Sequence, residues 1–98
     1  MRVHWSDRSL ADLESIRNFI SISNPLNADR YVVELFKTAD SMLQRFPKAG
    51  RKIPEKNNEN FREIIHGNYR IMYKVLPKEI RILTVHHSSR RFVGSEIE

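Results

Sequence analysis

The stretch FREIIHGNYRIMYKVLPKEIRILTVHHSSRRF, residues 61–92, decides the fold of this chain. It contains three runs rich in β-branched and aromatic residues, which predict strands at 61–66, 69–76 and 79–87. Two dipeptides with turn chemistry, Gly67-Asn68 and Pro77-Lys78, separate the runs. Connections this short join antiparallel strands, so the stretch predicts a three-stranded meander.

Upstream of the meander the period of the apolar residues becomes helical. Residues 2–5 predict a short opening strand, and Ser6 then stands where a helix N-cap belongs. Four apolar residues follow at spacings of three and four and predict one helical face: Leu10, Leu13, Ile16 and Ile20. Asn24-Pro25 predicts the start of a second helix, which Pro47 and Gly50 end. The apolar stripe of this second helix is predicted to contain Ala28, Val32, Leu35, Ala39, Met42, Leu43 and Phe46.

These elements predict an α+β fold. The two helices are close in sequence and should form an antiparallel hairpin, while the polar residues 51–60 predict a loop. The chain of 98 residues has the length of one domain, so we expect a single domain over residues 1–98. One face of the sheet should bury the helices, and the other should stay open.

Composition excludes several classes of protein. The chain contains no cysteine, which excludes a disulfide framework and a thiolate metal site. It has no apolar run long enough for a membrane span and no secretory N-terminal pattern, so we expect a cytoplasmic protein without a membrane partner. The net charge of +5 is distributed unevenly along the chain. Residues 1–44 carry five basic and six acidic side chains, so the excess of positive charge lies after residue 44. A basic second half is typical of a polyanion surface or of a site for an acidic peptide.

The strand period of two assigns the polar residues of the meander to faces. Counting along each strand predicts that Arg62, Arg70, Arg81 and His87 lie together on the face away from the helices. Tyr69 and Tyr73 alternate with Ile71 and are expected in the core. His86 and His87 are adjacent, and adjacent strand residues point to opposite faces, so we expect no shared metal ion.

The order of these motifs resembles the RelE/ParE toxin superfamily over residues 1–92. The resemblance rests on GR-x-x-PE, on RE-x-x-x-G-x-YR-I-x-Y and on the end of the last strand. The matching residues are Gly50, Arg51, Pro54, Glu55, Phe61, Arg62, Glu63, Gly67, Tyr69, Arg70, Ile71, Tyr73, Ile82, His86 or His87, and Arg90. The resemblance implies a helix hairpin on a curved antiparallel sheet, and a toxin of a type II toxin–antitoxin system that inhibits growth and stabilises plasmids.

Two mechanisms occur in that superfamily. RelE-like members are mRNA interferases that cleave mRNA on the ribosome without a metal ion or other cofactor, and ParE-like members block DNA gyrase. Metal-free RNA cleavage needs a base, cationic support for the phosphorane and an acid. The resemblance implies Glu55 as the base and Arg70, with Arg62, as the phosphate-supporting pair. His87 is the candidate acid, because histidine titrates near neutral pH. A solvated carboxylate at Glu55 and a histidine at the rim without a catalytic role are the structural alternatives.

The remaining basic residues predict contacts with nucleic acid. This set contains Lys48, Arg51, Lys52, Lys56, Arg81, Arg90 and Arg91, with Phe92 as a base-stacking residue. Phe92 also marks a departure from the resembling nucleases, which often carry a C-terminal tyrosine that transfers a proton. The same basic residues are an alternative landing site for an acidic antitoxin.

Our hypothesis from the sequence is therefore a toxin whose endoribonuclease action on ribosome-bound mRNA is slightly favoured. The second hypothesis is a gyrase inhibitor without nuclease activity, and the third is a silent member that only binds. All three share a cognate acidic antitoxin as partner.

Overall fold

The computed structural model of the protein describes residues 1–97. The chain forms, in order, β1 (Arg2–Trp5), α1 (Asp7–Ser23), α2 (Ala28–Arg45), β2 (Arg51–Lys52), β3 (Phe61–His66), β4 (Tyr69–Val75), β5 (Glu79–His87) and a 3-10 turn at Gly94–Glu96. The strands form one sheet in the order β1-β5-β4-β3-β2. β1 runs parallel to β5, and the other pairs are antiparallel. The predicted α+β fold, with a helical hairpin on a mostly antiparallel sheet, is confirmed.

The first helix begins where the sequence predicts, and the second begins later. The Ser6 Oγ accepts a hydrogen bond from the Ser9 backbone N–H at 3.0 Å, so Ser6 is the N-cap of α1. The Asn24 backbone N–H donates to the Ile20 carbonyl at 2.8 Å and closes α1. Because Asn24 ends one helix, it does not start the next, and α2 begins at Ala28 after a turn over residues 25–27.

The main core lies between the helical hairpin and one face of the sheet. Its buried residues are Trp5, Leu13, Ile16, Leu35, Ala39, Leu43, Tyr69, Ile71, Tyr73, Ile80, Ile82 and Val85. Both predicted core tyrosines are among them. The predicted helical stripes are too wide, because Leu10, Met42 and Phe46 are exposed. No helix within residues 1–97 is long and apolar enough to cross a membrane.

The opposite face of the sheet is covered in part, although the sequence predicted it to be open. Residues 90–97, which we call the C-terminal strap, lie across it. The strap inserts Phe92 and Ile97 into a second buried cluster with Ile53, Phe61 and Met72. Burial of these apolar groups holds the strap on the sheet, since no α-helix within residues 1–97 covers this face. We call this side the strap face.

The hairpin register corrects the predicted faces of β3. His66 lies opposite Tyr69, and Arg62 lies opposite Tyr73. Residues opposite each other in a hairpin share a face, so Arg62 points to the helix side and Glu63 to the strap face. Counting within one strand could not reveal this, but the two-residue turn at Gly67-Asn68 could have fixed the pairing.

A bulge corrects the predicted faces at the end of β5. Met72 pairs with Thr84 and Tyr73 with Ile82, so Leu83 is an extra residue without a partner on β4. An extra residue reverses the alternation of faces beyond it. His86 therefore lies opposite Arg70, and His87 lies opposite Tyr69. The prediction that His87 lies on the same face as Arg70 is wrong, and His86 lies there instead.

Candidate functional site

Four charged side chains form a continuous chain of ion pairs at the strap face. The Arg70 guanidinium donates from both terminal nitrogens to Glu55, at 2.8 Å and 3.0 Å. Its Nε donates to Glu63 at 2.6 Å. The other oxygen of Glu63 accepts from Arg51 Nε, also at 2.6 Å. The order Glu55, Arg70, Glu63, Arg51 alternates in charge, so the array is formally neutral.

Arg70 is enclosed by its partners. Its side chain is 8% exposed and that of Glu63 is fully buried, whereas Glu55 is 32% exposed. The Phe92 ring of the strap lies over the guanidinium, 5.3 Å from the carbon to the ring centroid. The guanidinium therefore directs its donors at two carboxylates and turns a face to an aromatic ring.

This arrangement sets the protonation of the array. Hydrogen bonding to Arg70 lowers the pKa of Glu55 and outweighs the opposing effect of burial. The same hydrogen bond raises the pKa of Arg70. Glu55 is therefore held as a carboxylate each of whose oxygens accepts a hydrogen bond from Arg70. A general base works best with a pKa near the working pH, and the pKa of Glu55 is shifted away from that range.

His86 is the histidine that the structure brings to Arg70. Its Nε2 lies 3.2 Å from an Arg90 terminal nitrogen and 3.4 Å from one of Arg8. The Phe92 ring meets the imidazole edge to face at a centroid distance of 5.4 Å. Burial first, and then the charge of Arg90, lower the pKa of His86. A buried imidazole beside guanidinium groups is held in its neutral form.

Two of the four predicted catalytic residues lie on the helix side, away from this array. Arg62 donates to the Gly50 carbonyl at 2.9 Å, and its Nε has no hydrogen-bond partner within residues 1–97. His87 packs edge to face against Tyr69, with ring centroids 5.3 Å apart. Its Nδ1 accepts from the Ser89 backbone N–H at 3.1 Å. The sequence grouped Arg62, Arg70 and His87, and the sheet separates them.

Several predicted nucleic-acid contacts are occupied within the chain. Lys56 Nζ donates to the Ile97 carbonyl at 2.7 Å and lies 4.7 Å from the centroid of the Phe61 ring. Phe92 is 7% exposed and is not available to stack on a base. Arg81 lies 3.6 Å from Glu79, and Arg90 lies 3.5 Å from Glu96. The other predicted contacts, Lys48, Lys52 and Arg91, are not in ion pairs within residues 1–97, and Lys52 and Arg91 are exposed.

Sequence reasoning missed Glu63 as a member of the array and His86 as the histidine beside Arg70. The two-residue turn places Ile65 opposite Arg70, so Glu63 is the diagonal neighbour of Arg70 on the same face. The turn at Gly67-Asn68 is visible in the sequence, so the position of Glu63 beside Arg70 could have been predicted. No comparable signal marked His86, because its face depends on the bulge at Leu83. Within residues 1–97 no group of three histidine or acidic side chains is placed to hold a metal ion.

A second feature lies at the far end of the helical hairpin. A groove of about 560 Å³ runs between the two helices and the β4–β5 end of the sheet, and Phe19, Tyr31, Tyr69 and His87 are among the residues that line it. Burial raises the pKa of both tyrosines. Three large apolar side chains are exposed at this end: Phe19 at 66%, Ile22 at 83% and Leu26 at 93%. Exposed apolar groups in such numbers are typical of a protein-binding surface.

Comparisons with known proteins converge on one group of toxins. The profile of the ParE toxin of the type II toxin–antitoxin system parDE matches residues 3–92. Toxin RelE2 of Caulobacter vibrioides is 34% identical over 89 residues, which cover 91% of this chain and 97% of that protein.

Two solved structures share the fold. A chain of the chromosomal ParDE toxin–antitoxin system from P. aeruginosa superposes with a TM-score of 0.76 at 22% identity, covering 89% of this chain and 95% of that one. A chain of the RelBE2 toxin–antitoxin complex from Mycobacterium tuberculosis gives a TM-score of 0.64 at 19% identity, covering 91% and 92%. At these identities the likeness extends to the fold and not to the mechanism.

Proposed function

The chain belongs to the ParE toxin family, within the RelE/ParE superfamily of type II toxin–antitoxin toxins, and we propose that it stops growth by binding DNA gyrase and not by cutting mRNA. The observation that supports this choice is the double pairing of Arg70 with Glu55 and Glu63. The sequence slightly favoured mRNA cleavage, so this proposal reverses the order of the two mechanisms.

The argument against RNA cleavage is electrostatic. Glu55 and Glu63 already accept from three of the five N–H donors of Arg70 at 2.6–3.0 Å, so a phosphate that is to be held by a pair of these donors must displace a carboxylate. The incoming phosphate would also meet the negative charge of both carboxylates. Glu55 is a weak base in this state, because its pKa is lowered. Arg62 and His87 lie on the other side of the sheet and supply neither a second cation nor an acid to this face.

The argument for a protein target comes from the hairpin end. Phe19, Ile22 and Leu26 expose apolar surface that a nuclease for a polyanion does not need. Burial of such groups against a partner supplies binding free energy, at roughly 25 cal/mol per Å² before the costs of association are subtracted.

One observation keeps the endoribonuclease as a second candidate. Glu55, Arg70 and His86 lie on one face of the sheet, and a carboxylate, a guanidinium and an imidazole are the groups that metal-free RNA cleavage uses. In this candidate His86 replaces His87 as the acid. Removal of the strap and opening of the Glu55–Arg70 pair would have to precede any reaction.

An antitoxin is the expected natural partner in either case. The two solved neighbours are toxin–antitoxin systems, and this chain is a member of the same group. The excess of positive charge in the second half of the chain suits an acidic antitoxin segment. Both proposed targets imply action in the cytoplasm.

The proposal is tested with the purified chain in a gyrase supercoiling reaction, and in parallel with mRNA in a translating extract. We expect inhibition of supercoiling and intact transcripts. Cleaved transcripts with normal supercoiling would reverse the choice. Normal supercoiling together with intact transcripts would support the third hypothesis, a silent member that only binds.

The Glu55→Gln variant sharpens the comparison. It keeps the size of the side chain and one acceptor oxygen but removes the base. Gyrase inhibition should be retained, because Glu55 has no role in that proposal. Under the nuclease candidate, the loss of one acid–base partner lowers the cleavage rate by roughly 10²–10⁴.

A further inference from the structure

The C-terminal strap is a thin layer that a few contacts hold to the sheet. Phe92 and Ile97 are its two apolar anchors. Between them, Gly94 passes so close to the Glu55 carbonyl that a Cβ at this position would clash with it. Lys56 Nζ donates to the Ile97 carbonyl at 2.7 Å. The strap therefore covers Arg70 and lies against Glu55, which stays 32% exposed, and its attachment decides whether solvent and ligands reach Arg70.

His86 lies under the strap at the point of attachment. It is 2% exposed, and its Nε2 faces the guanidinium groups of Arg8 and Arg90. Arginine only donates hydrogen bonds, so Nε2 must be the acceptor and the neutral ring carries its proton on Nδ1. The Nδ1 is buried and has no hydrogen-bond partner within residues 1–97. The ring is thus held in one protonation state by two arginines, one on α1 and one in the strap.

Protonation of His86 would act directly on these contacts. The charged ring has no acceptor left, so both arginine hydrogen bonds are lost. It also adds a positive charge beside Arg8, Arg90 and, across the strands, Arg70. The imidazole and Arg70 are buried, whereas Arg8 and Arg90 are 45% and 55% exposed, so water screens the repulsion from these two arginines only in part.

The two nearby carboxylates already have donors. Asp12 on α1 accepts from the Thr84 hydroxyl and from the Val85 backbone N–H. Glu96 in the strap accepts from the Val93 backbone N–H at 3.0 Å and lies within 3.7 Å of both Arg8 and Arg90. Both carboxylates favour a charged imidazole, but within residues 1–97 neither is hydrogen-bonded to it in the closed state.

We propose that His86 is a pH-dependent latch for the strap: the neutral imidazole holds the strap closed through Arg90, and its protonation releases the strap and uncovers Arg70. The inference does not depend on the target of the toxin. Burial lowers the pKa of His86 in the closed state, while a solvated imidazole in the open state titrates near 6.5. The open state binds the proton better, so closure is fully favoured above about pH 6.5 and weakens as the pH falls toward the closed-state value.

Hydrogen exchange of the full chain, followed by mass spectrometry, tests the latch. Protection of residues 88–97 is measured at pH 7.5 and 5.5 and corrected for the intrinsic pH dependence of exchange. We expect strap opening to increase by up to about tenfold at pH 5.5, the limit reached when only the open state is protonated. Unchanged protection between the two pH values would overturn the proposal.

Two variants locate the effect. His86→Phe cannot titrate and should make strap protection independent of pH. His87→Phe is the matched control, since its ring lies on the helix side, and it should keep the pH dependence of the wild type. A His86→Phe protein that opens with pH as the wild type does would refute the latch. If this variant does not fold, an NMR titration of the wild type decides: the midpoint of the His86 ring signals must coincide with that of the strap amides, and different midpoints refute it.

Discussion

Replacement of Arg70 by methionine should destabilise the protein strongly, because it leaves a buried carboxylate with half of its support. Glu63 is fully buried and Arg70 is 8% exposed, so their 2.6 Å pair is largely shielded from water. Removing one partner of such a pair costs about 3–5 kcal/mol. Glu63 keeps Arg51, but that side chain is 61% exposed and its attraction is screened. We therefore expect a loss of about 2–4 kcal/mol in the free energy of unfolding.

The assay is urea unfolding of the purified chain, followed by circular dichroism, with a thermal melt in parallel. For a chain of this length the expected loss corresponds to a fall in Tm of about 10–25 °C. Glu55→Gln is the matched control, because its side chain is 32% exposed and its pair with Arg70 should contribute only about 0–1 kcal/mol.

A double variant separates loss of the pair from loss of packing. Arg70→Met combined with Glu63→Leu removes both charges, and apolar replacement of a complete buried pair is often neutral or stabilising. The double variant should therefore recover most of the stability that Arg70→Met loses. A loss below about 1 kcal/mol in the single variant, or no recovery in the double one, would refute the reasoning.

Two further predictions concern the same region. Gly50→Ala should destabilise the protein by about 1–3 kcal/mol, because the new Cβ would lie 2.5 Å from the Glu63 carbonyl oxygen and 2.8 Å from the Tyr73 hydroxyl. Urea unfolding measures the change in the free energy of unfolding. An unchanged value would contradict the packing argument. Acid unfolding should depend on Glu55: the Arg70 hydrogen bond lowers its folded-state pKa, so its contribution is present above about pH 4.5 and is lost as the pH falls through the lowered value. Glu55→Gln should remove the contribution of Glu55 to the pH dependence of stability. An acid-unfolding curve that is the same in the variant and the wild type would contradict this prediction.

Local patterns predicted most of the fold because they reflect local physics. The boundaries of β3 and β5 were predicted correctly, since turn residues mark each end. Ser6 was recognisable as a cap from its chemistry alone. The start of α2 at Asn24 was predicted wrongly, because a residue that favours helix caps can end one helix as well as start another.

The sequence predicted only part of the candidate site and did not predict its arrangement. Glu55 and Arg70 were named from the motif, and the structure brings them together at 2.8 Å. Their catalytic roles remain predictions. His87 was assigned to the wrong face because the bulge at Leu83 is invisible to a count along the strand. The strap was not foreseen, since Phe92 and Ile97 lie in a polar tail without periodicity.

The sequence by itself determined the α+β fold, the superfamily and the basic second half of the chain, because periodicity, turn chemistry and charge are properties of neighbouring residues. The tertiary structure alone decided which charges meet. Strand register joined Glu63 to Arg70, a single extra residue exchanged His86 for His87, and the strap closed the face that the sequence left open. Each of these depends on contacts between residues distant in the chain, and those contacts pair Arg51 and Arg70 with two glutamates in a formally neutral array.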